Sequence, residues 1–374
     1  MTSSTSFLNR PAVIFLASLL YLSGCANAPE AGKRTAYVGE EKFRIAAYPI
    51  ENLTGTAAPM GEIRQALLHR LEAQGFRLLK EETLEKFMAK HRIRYAGGID
   101  KTTARAFREE TGTEGVLITS LELYTETNPP KIALTSRLVS TGDDPAILWM
   151  DGVGLAGDDS PGMLGLGLIE DPLTLRQKAL QLLSDSLTHS LSSQKDRVAM
   201  RGVKRKFTPK ITYRSPELDP GGKYTVAIIP FLNRSERKNG GEIMELHFAR
   251  HLSSLESFRV IEPGIVRQQL LGLRVIMEEG VSLADAEAIF GTLEADLILT
   301  GEVITYQDYQ GVFGKPKVDF SALLLERKSR KIVWSSNSYN EGDDGVFFFD
   351  RGRVNTAHAM ASKMARAVAT LWVK

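Results

Sequence analysis

The sequence predicts an α/β protein with an α+β-like sandwich character: two tandem homologous domains, each a mixed β-sheet with helices packed on it. Three observations carry this. The chain has 374 residues, 43% of them hydrophobic, enough for two cores of ordinary domain size. A long segment of the sequence repeats at nearly constant offset. Each copy interleaves strands and helices first and then runs into a hairpin and a final helix, the pattern of helices laid on a mixed sheet.

The repeat is read gaplessly at its start. FRIAAYPIENLTG from Phe43 aligns on YTVAIIPFLNRSE from Tyr224, so that Ala46 meets Ala227, Pro49 meets Pro230 and Asn52 meets Asn233. Farther on, GFRLLKEETL around Phe76 meets SFRVIEPGIV around Phe258, and EGVLITSLELY around Leu117 meets ADLILTGEVITY around Ile298. ILWMDGVGLAGDDS and IVWSSNSYNEGDDG close the correspondence.

Each copy opens with a β-branched and aromatic strand, Phe43–Pro49 or Tyr224–Phe231, ended by a Pro-Asn turn signal. An amphipathic helix follows, with Ile63, Leu67, Leu68 and Leu71 on one stripe and Met244, Phe248 and Leu252 on the other copy's stripe. A short strand, Phe76–Leu79 or Phe258–Ile261, precedes two helical patterns, the second capped by Asp100 or Ser282. Three strands come next: Val116–Tyr124, Ile132–Val139 and Ile147–Val153, mirrored by Leu297–Tyr306, Val318–Leu325 and Ile332–Ser338. A helix over Leu173–Leu191 or Val354–Trp372 ends each copy.

The first two dozen residues carry one charge, Arg10, then an apolar run from Ala12 to Leu22 and small residues, the order of a secretory signal. The run falls short of the roughly twenty residues a membrane-spanning helix needs. It ends in Leu22-Ser23-Gly24-Cys25, and Cys25 is the only cysteine. This tetrapeptide resembles the lipobox of bacterial lipoproteins, which implies a diacylglyceryl thioether on Cys25, cleavage before it and an acylated amine. Ala26 rather than Asp follows, so the resemblance implies the outer membrane and its periplasmic face. The expected division is 1–24 signal peptide, 25–42 tether, 43–193 first domain, 194–223 basic linker and 224–374 second domain.

With Cys25 lipidated no intrachain disulfide is expected, and the domains rest on their cores. Lys+Arg 47 against Asp+Glu 45 gives no basic excess, so no nucleic-acid partner is expected. The linker's Lys195, Arg197, Arg201, Lys204, Arg205 and Lys206 read as a solvated charge run rather than a lipid-binding patch.

AAYPIENLTG, AIIPFLNRSE, the ADLILTGEV strand and the Trp-ended hairpin resemble the domain shared by the curli-secretion lipoprotein CsgG, the N-terminal domain of TolB and related cell-envelope lipoproteins, once per copy. That resemblance implies a non-catalytic binding or assembly module, with a cell-envelope protein or a second copy as partner. The channel-forming member builds its pore from long inserted hairpins. Here the corresponding stretches, Thr305–Lys317 and Thr125–Lys131, are too short for two strands of ~9–11 residues. A secretion-channel subunit is therefore the alternative reading, and a cell-wall hydrolase a weaker one.

No catalytic residue, cofactor or metal-ligand set is legible. Asp158-Asp159 and Asp343-Asp344 lack the spaced oxygen ligands of a calcium loop and read as turn aspartates. His247 and His251 share a helix face, but Phe248 stands where the zincin pattern needs Glu, and no third ligand is evident; copy one keeps only His69 in this region. GMLGLGL over 162–168 lacks the order of a dinucleotide loop. That loop and its counterpart GVFFFDRG are apolar: Met163, Leu164 and Leu166 in one, Val346, Phe347, Phe348 and Phe349 in the other. Such loops either fold into the core or present a docking patch, with the phenylalanines as anchors.

Overall fold

The computed structural model describes residues 43–159, 167–192, 204–273, 283–309, 311, 314–346 and 352–373. All belong to one compact unit, Tyr37–Lys374. Cys25, Ser282, Met163, Leu164, Leu166 and Phe347–Phe349 lie outside the described residues, as do the linker cations Lys195, Arg197 and Arg201.

The first half contains β1 (Arg44–Ala47), β2 (Glu51–Asn52), α1 (Met60–Ala73), β3 (Arg77–Leu78), α2 (Glu81–Lys90), α3 (Lys101–Thr111), β4 (Gly115–Thr125), β5 (Lys131–Ser140), β6 (Ile147–Ala156) and α4 (Pro172–Ser192). Its sheet runs β3-β1-β4-β5-β6, with β2 beside β4. The strands around β1 are parallel and β4-β5-β6 antiparallel. One face buries Leu117, Leu121, Leu134, Leu138 and Trp149 with the stripes of α1 and α4. Part of the other face buries Val116, Ile118 and Val139 with α2 and α3. Asp100 caps α3 as expected, accepting the Thr103 N–H at 3.0 Å.

The second half contains β7 (Lys210–Arg214), β8 (Tyr224–Ile228), β9 (Leu232–Asn233), α5 (Gly240–Ser253), β10 (Phe258–Val260), α6 (Pro263–Leu273), α7 (Leu283–Thr292), β11 (Leu297–Gln307), β12 (Lys317–Glu326), β13 (Lys331–Glu341) and α8 (Ala357–Trp372). Its sheet runs β10-β8-β11-β12-β13-β7, with β9 beside β11. Removing β7 leaves the strand order of the first half. Phe248, Phe320, Trp334 and Trp372 meet ring on ring in its core.

One difference from the sequence reading concerns the segment expected to be a linker. Lys210–Arg214 is a strand on the free edge of β13. Just before it Phe207 is buried, and the Lys206 ammonium donates to the carbonyls of Asp344 and Gly352. Charge along this stretch hid a short edge strand whose side chains are all exposed, the form in which edge strands escape a hydrophobic-pattern search. Among the described residues no helix is long and apolar enough to cross a membrane.

Candidate functional site

The landmarks repeated in the sequence are turn builders. Asn52 Oδ1 accepts from the Thr54 N–H at 2.9 Å, and Asn233 Oδ1 from the Ser235 N–H at 3.1 Å. Their amides donate to Thr56 O and Arg237 O. The second aspartate of each Gly-Asp-Asp closes the turn after the hairpin: Asp159 accepts the Ala156 N–H and Asp344 the Glu341 N–H, both at 2.8 Å. These roles match the turn reading, since Asn and Asp side chains readily satisfy nearby backbone donors. His247 and His251 share α5 but face different partners, His251 meeting Ser362 at 3.0 Å. Val346 is half-buried.

The chemistry gathers where the halves meet. α5 and α8 lie against β6 of the first half while also packing on their own sheet. Close approach is allowed by Gly152 and Gly154: a Cβ on Gly154 would stand 2.5 Å from His358 Cδ2. The alternating glycines of MDGVGLAG thus make room for the neighbouring half's helix.

A bulge aims the central carboxylate. The β4–β5 register slips between Leu121 and Leu123, leaving Glu122 unpaired and turned into the seam, a common use of a β-bulge. Glu122 Oε2 lies 2.5 Å from His358 Nδ1 and 3.9 Å from His247 Nε2. Its other oxygen accepts from the Thr135 hydroxyl at 2.5 Å, and Arg237 donates to its carbonyl. His247 Nε2 is 3.3 Å from the Tyr306 hydroxyl. Glu122, His247 and His358 are each no more than 2% exposed. Burial opposes the Glu122 charge, but the charge and hydrogen bond of His358, then His247, bring its pKa down to about 2. Burial, seconded by the charge of His358, pushes His247 down to about 3. The cluster therefore presents a carboxylate and at least one neutral imidazole.

A second polar contact stands beside it. Arg137 of β5 makes a bidentate pair with Glu262, at 2.9 Å from Nε and 2.8 Å from Nη2, and donates to Gly97 O at 2.7 Å. Glu262 also accepts the Gly264 N–H at the start of α6, and both side chains of the pair are sealed from solvent. Around this core, Arg250–Asp151, Arg259–Asp144 and Arg237–Thr54 O tie the rim. The Lys131 ammonium sits 3.1 Å from the centre of the Tyr309 ring, a cation–π contact across the halves.

Sequence reasoning missed Glu122, Arg137, Glu262 and His358. A signal existed for two of them: Glu122 and Arg137 are charges inside otherwise uncharged strands, LITSLELY and IALTSRLV. A buried charge needs a partner, and here the partner is more than a hundred residues away.

On the corresponding face of the second sheet, α6 and α7 cover Ile298 and Leu325, and the bulged end beyond them is open. Its bulge falls between Val303 and Thr305, so Ile304 occupies the place of Glu122, and it is 48% exposed. Tyr339, paired with Asp319 on that face, is 57% exposed, and Tyr213, paired with Ser335, is 49% exposed.

No family model and no curated protein matches the chain. Among solved structures it is similar to the PelC dodecamer from Paraburkholderia phytofirmans, at 20% identity over 42% of this chain and 92% of that one, with a TM-score of 0.29. It is similar to lipoprotein GNA1162 from Neisseria meningitidis, at 15% identity over 38% and 98%, with a TM-score of 0.28. The LpoB C-terminal domain from Escherichia coli is similar at 14% identity over 32% and 85%, with a TM-score of 0.24. Each of these likenesses spans under half of this chain.

Proposed function

We propose that the protein is a lipid-anchored, non-catalytic binding and assembly factor on the periplasmic face of the bacterial outer membrane. Cys25 is the tether, and a cell-envelope protein or a second copy of the chain is the partner. The observation that carries the reading is the asymmetry of the two sheets. In the first half the bulged face is buried under helices of its neighbour; in the second the same face presents Ile304, Tyr339 and Tyr213 to solvent. Exposed aromatic and aliphatic side chains on a sheet face are the material of protein interfaces. The apolar loops around Phe347–Phe349 and Met163–Leu166 are a second proposed contact at the hairpin ends.

A photo-reactive residue at position 339, in cells, is expected to capture a discrete protein adduct, and one at exposed Leu182 on α4 is expected not to. The reading fails if position 339 yields nothing while the protein is folded and membrane-bound.

A further inference from the structure

We infer that Glu122, His247 and His358 form a binding site for one first-row divalent transition ion, best matched to Zn²⁺, in the seam between the halves. One ligating atom from each side chain lies within 4.8 Å of the others. Two imidazoles and a carboxylate are the donor set this ion favours, with ligand bonds near 2.0–2.2 Å, which sets tetrahedral donor-to-donor spacings of ~3.3 Å. The observed 2.5 Å and 3.9 Å separations from Glu122 Oε2 bracket that spacing. The Tyr306 hydroxyl, 3.3 Å from His247 Nε2, is at donor spacing from one of the three.

The imidazole nitrogens that are not the ligating atoms, His247 Nδ1 and His358 Nε2, are buried without a hydrogen-bond partner, so the outer support of the site falls to the carboxylate. The Thr135 hydroxyl orients the carboxylate through its second oxygen, the outer support that metal-ligating carboxylates receive. The ligands come from β4, α5 and α8, so the ion would join both halves at one point. With all three side chains enclosed, the site is of the closed, structural type, and no hydrolytic role follows from it.

The test uses untagged full-length protein in detergent, stripped with a chelator and titrated with Co²⁺. One equivalent with the visible absorption of four-coordinate cobalt, bleached by one equivalent of Zn²⁺, is expected. His358→Gln and Glu122→Gln should abolish that equivalent, His251→Gln should keep it, and Thr135→Val should weaken it about 10- to 100-fold. Should the ligand variants fail to fold, X-ray absorption at the zinc edge of the wild-type protein decides, with two imidazoles in the coordination shell expected. No stoichiometric uptake, six-coordinate spectra, or binding that survives His358→Gln overturns the assignment.

Discussion

Removing the charge of Glu262 should loosen the seam measurably. Glu262→Gln keeps the shape of the side chain but leaves the Arg137 guanidinium in a sealed position with neutral carbonyls, the introduced amide's and that of Gly97, in place of its counter-charge. Breaking one side of a buried pair costs ~3–5 kcal/mol, because the surviving charge stays desolvated. Glu51 tempers this: burial pushes its carboxyl up and the Arg137 charge opposes that push, so a second carboxyl stands in the field of the guanidinium. The low end, about 3 kcal/mol, is therefore expected. With a urea dependence on the order of 3 kcal/mol per molar, the transition should move down by about 1 M, or split in two as the halves part. Arg137→Met combined with Glu262→Leu should cost less than Glu262→Gln, since an apolar pair of similar volume pays no desolvation. A single-variant loss below ~1 kcal/mol, or a double variant as unstable as the single, would refute the reasoning.

Other consequences follow from the same seam. Gly154→Ala places a methyl 2.5 Å from His358 Cδ2 and 3.1 Å from Thr356 Oγ1, and should lower stability by ~1–3 kcal/mol, read as a fall in melting temperature. His247 is depressed to about 3 by burial, so below pH ~6.5 the unfolded chain takes a proton that the native state refuses and stability falls with pH. With chelator present, His247→Leu should flatten that dependence between pH 6.5 and 5; an unchanged slope contradicts the assignment. Burial raises the Glu245 carboxyl well above its usual range, Arg137 opposing. Its folded value exceeds its unfolded one, so stability is lost as pH rises above ~4.5, and Glu245→Gln should stabilise the protein at pH 7 in thermal melts.

Much of the architecture was legible because it rests on local patterns. Alternating β-branched strands, the α1 and α5 stripes and the Asp100 cap each follow from a few neighbouring residues, and the same order of patterns could be read in both halves. The turn roles of Asn52, Asn233, Asp159 and Asp344 were readable for the same reason. β7 was not, because its two apolar residues, Ile211 and Tyr213, sit in a short basic stretch and are exposed, too weak a pattern to mark an edge strand. The seam was hidden more deeply. Glu122 and His358 are 236 positions apart, and only the bulge at Glu122 together with the small Gly152 and Gly154 lets α8 bring them together. The two histidines that sequence spacing suggested as a pair belong to different surroundings. The pairing that forms joins His247 to a residue on another helix.

The central claim, that the open, bulged end of the second sheet's face holds a partner, is tested most directly by the mass of the full-length protein extracted from membranes in mild detergent, corrected for bound micelle. The account predicts a complex of defined stoichiometry that Ile304→Asp with Tyr339→Asp reduces to a monomer of unchanged melting temperature. A wild-type protein that is already monomeric, or a complex indifferent to both substitutions, would contradict it.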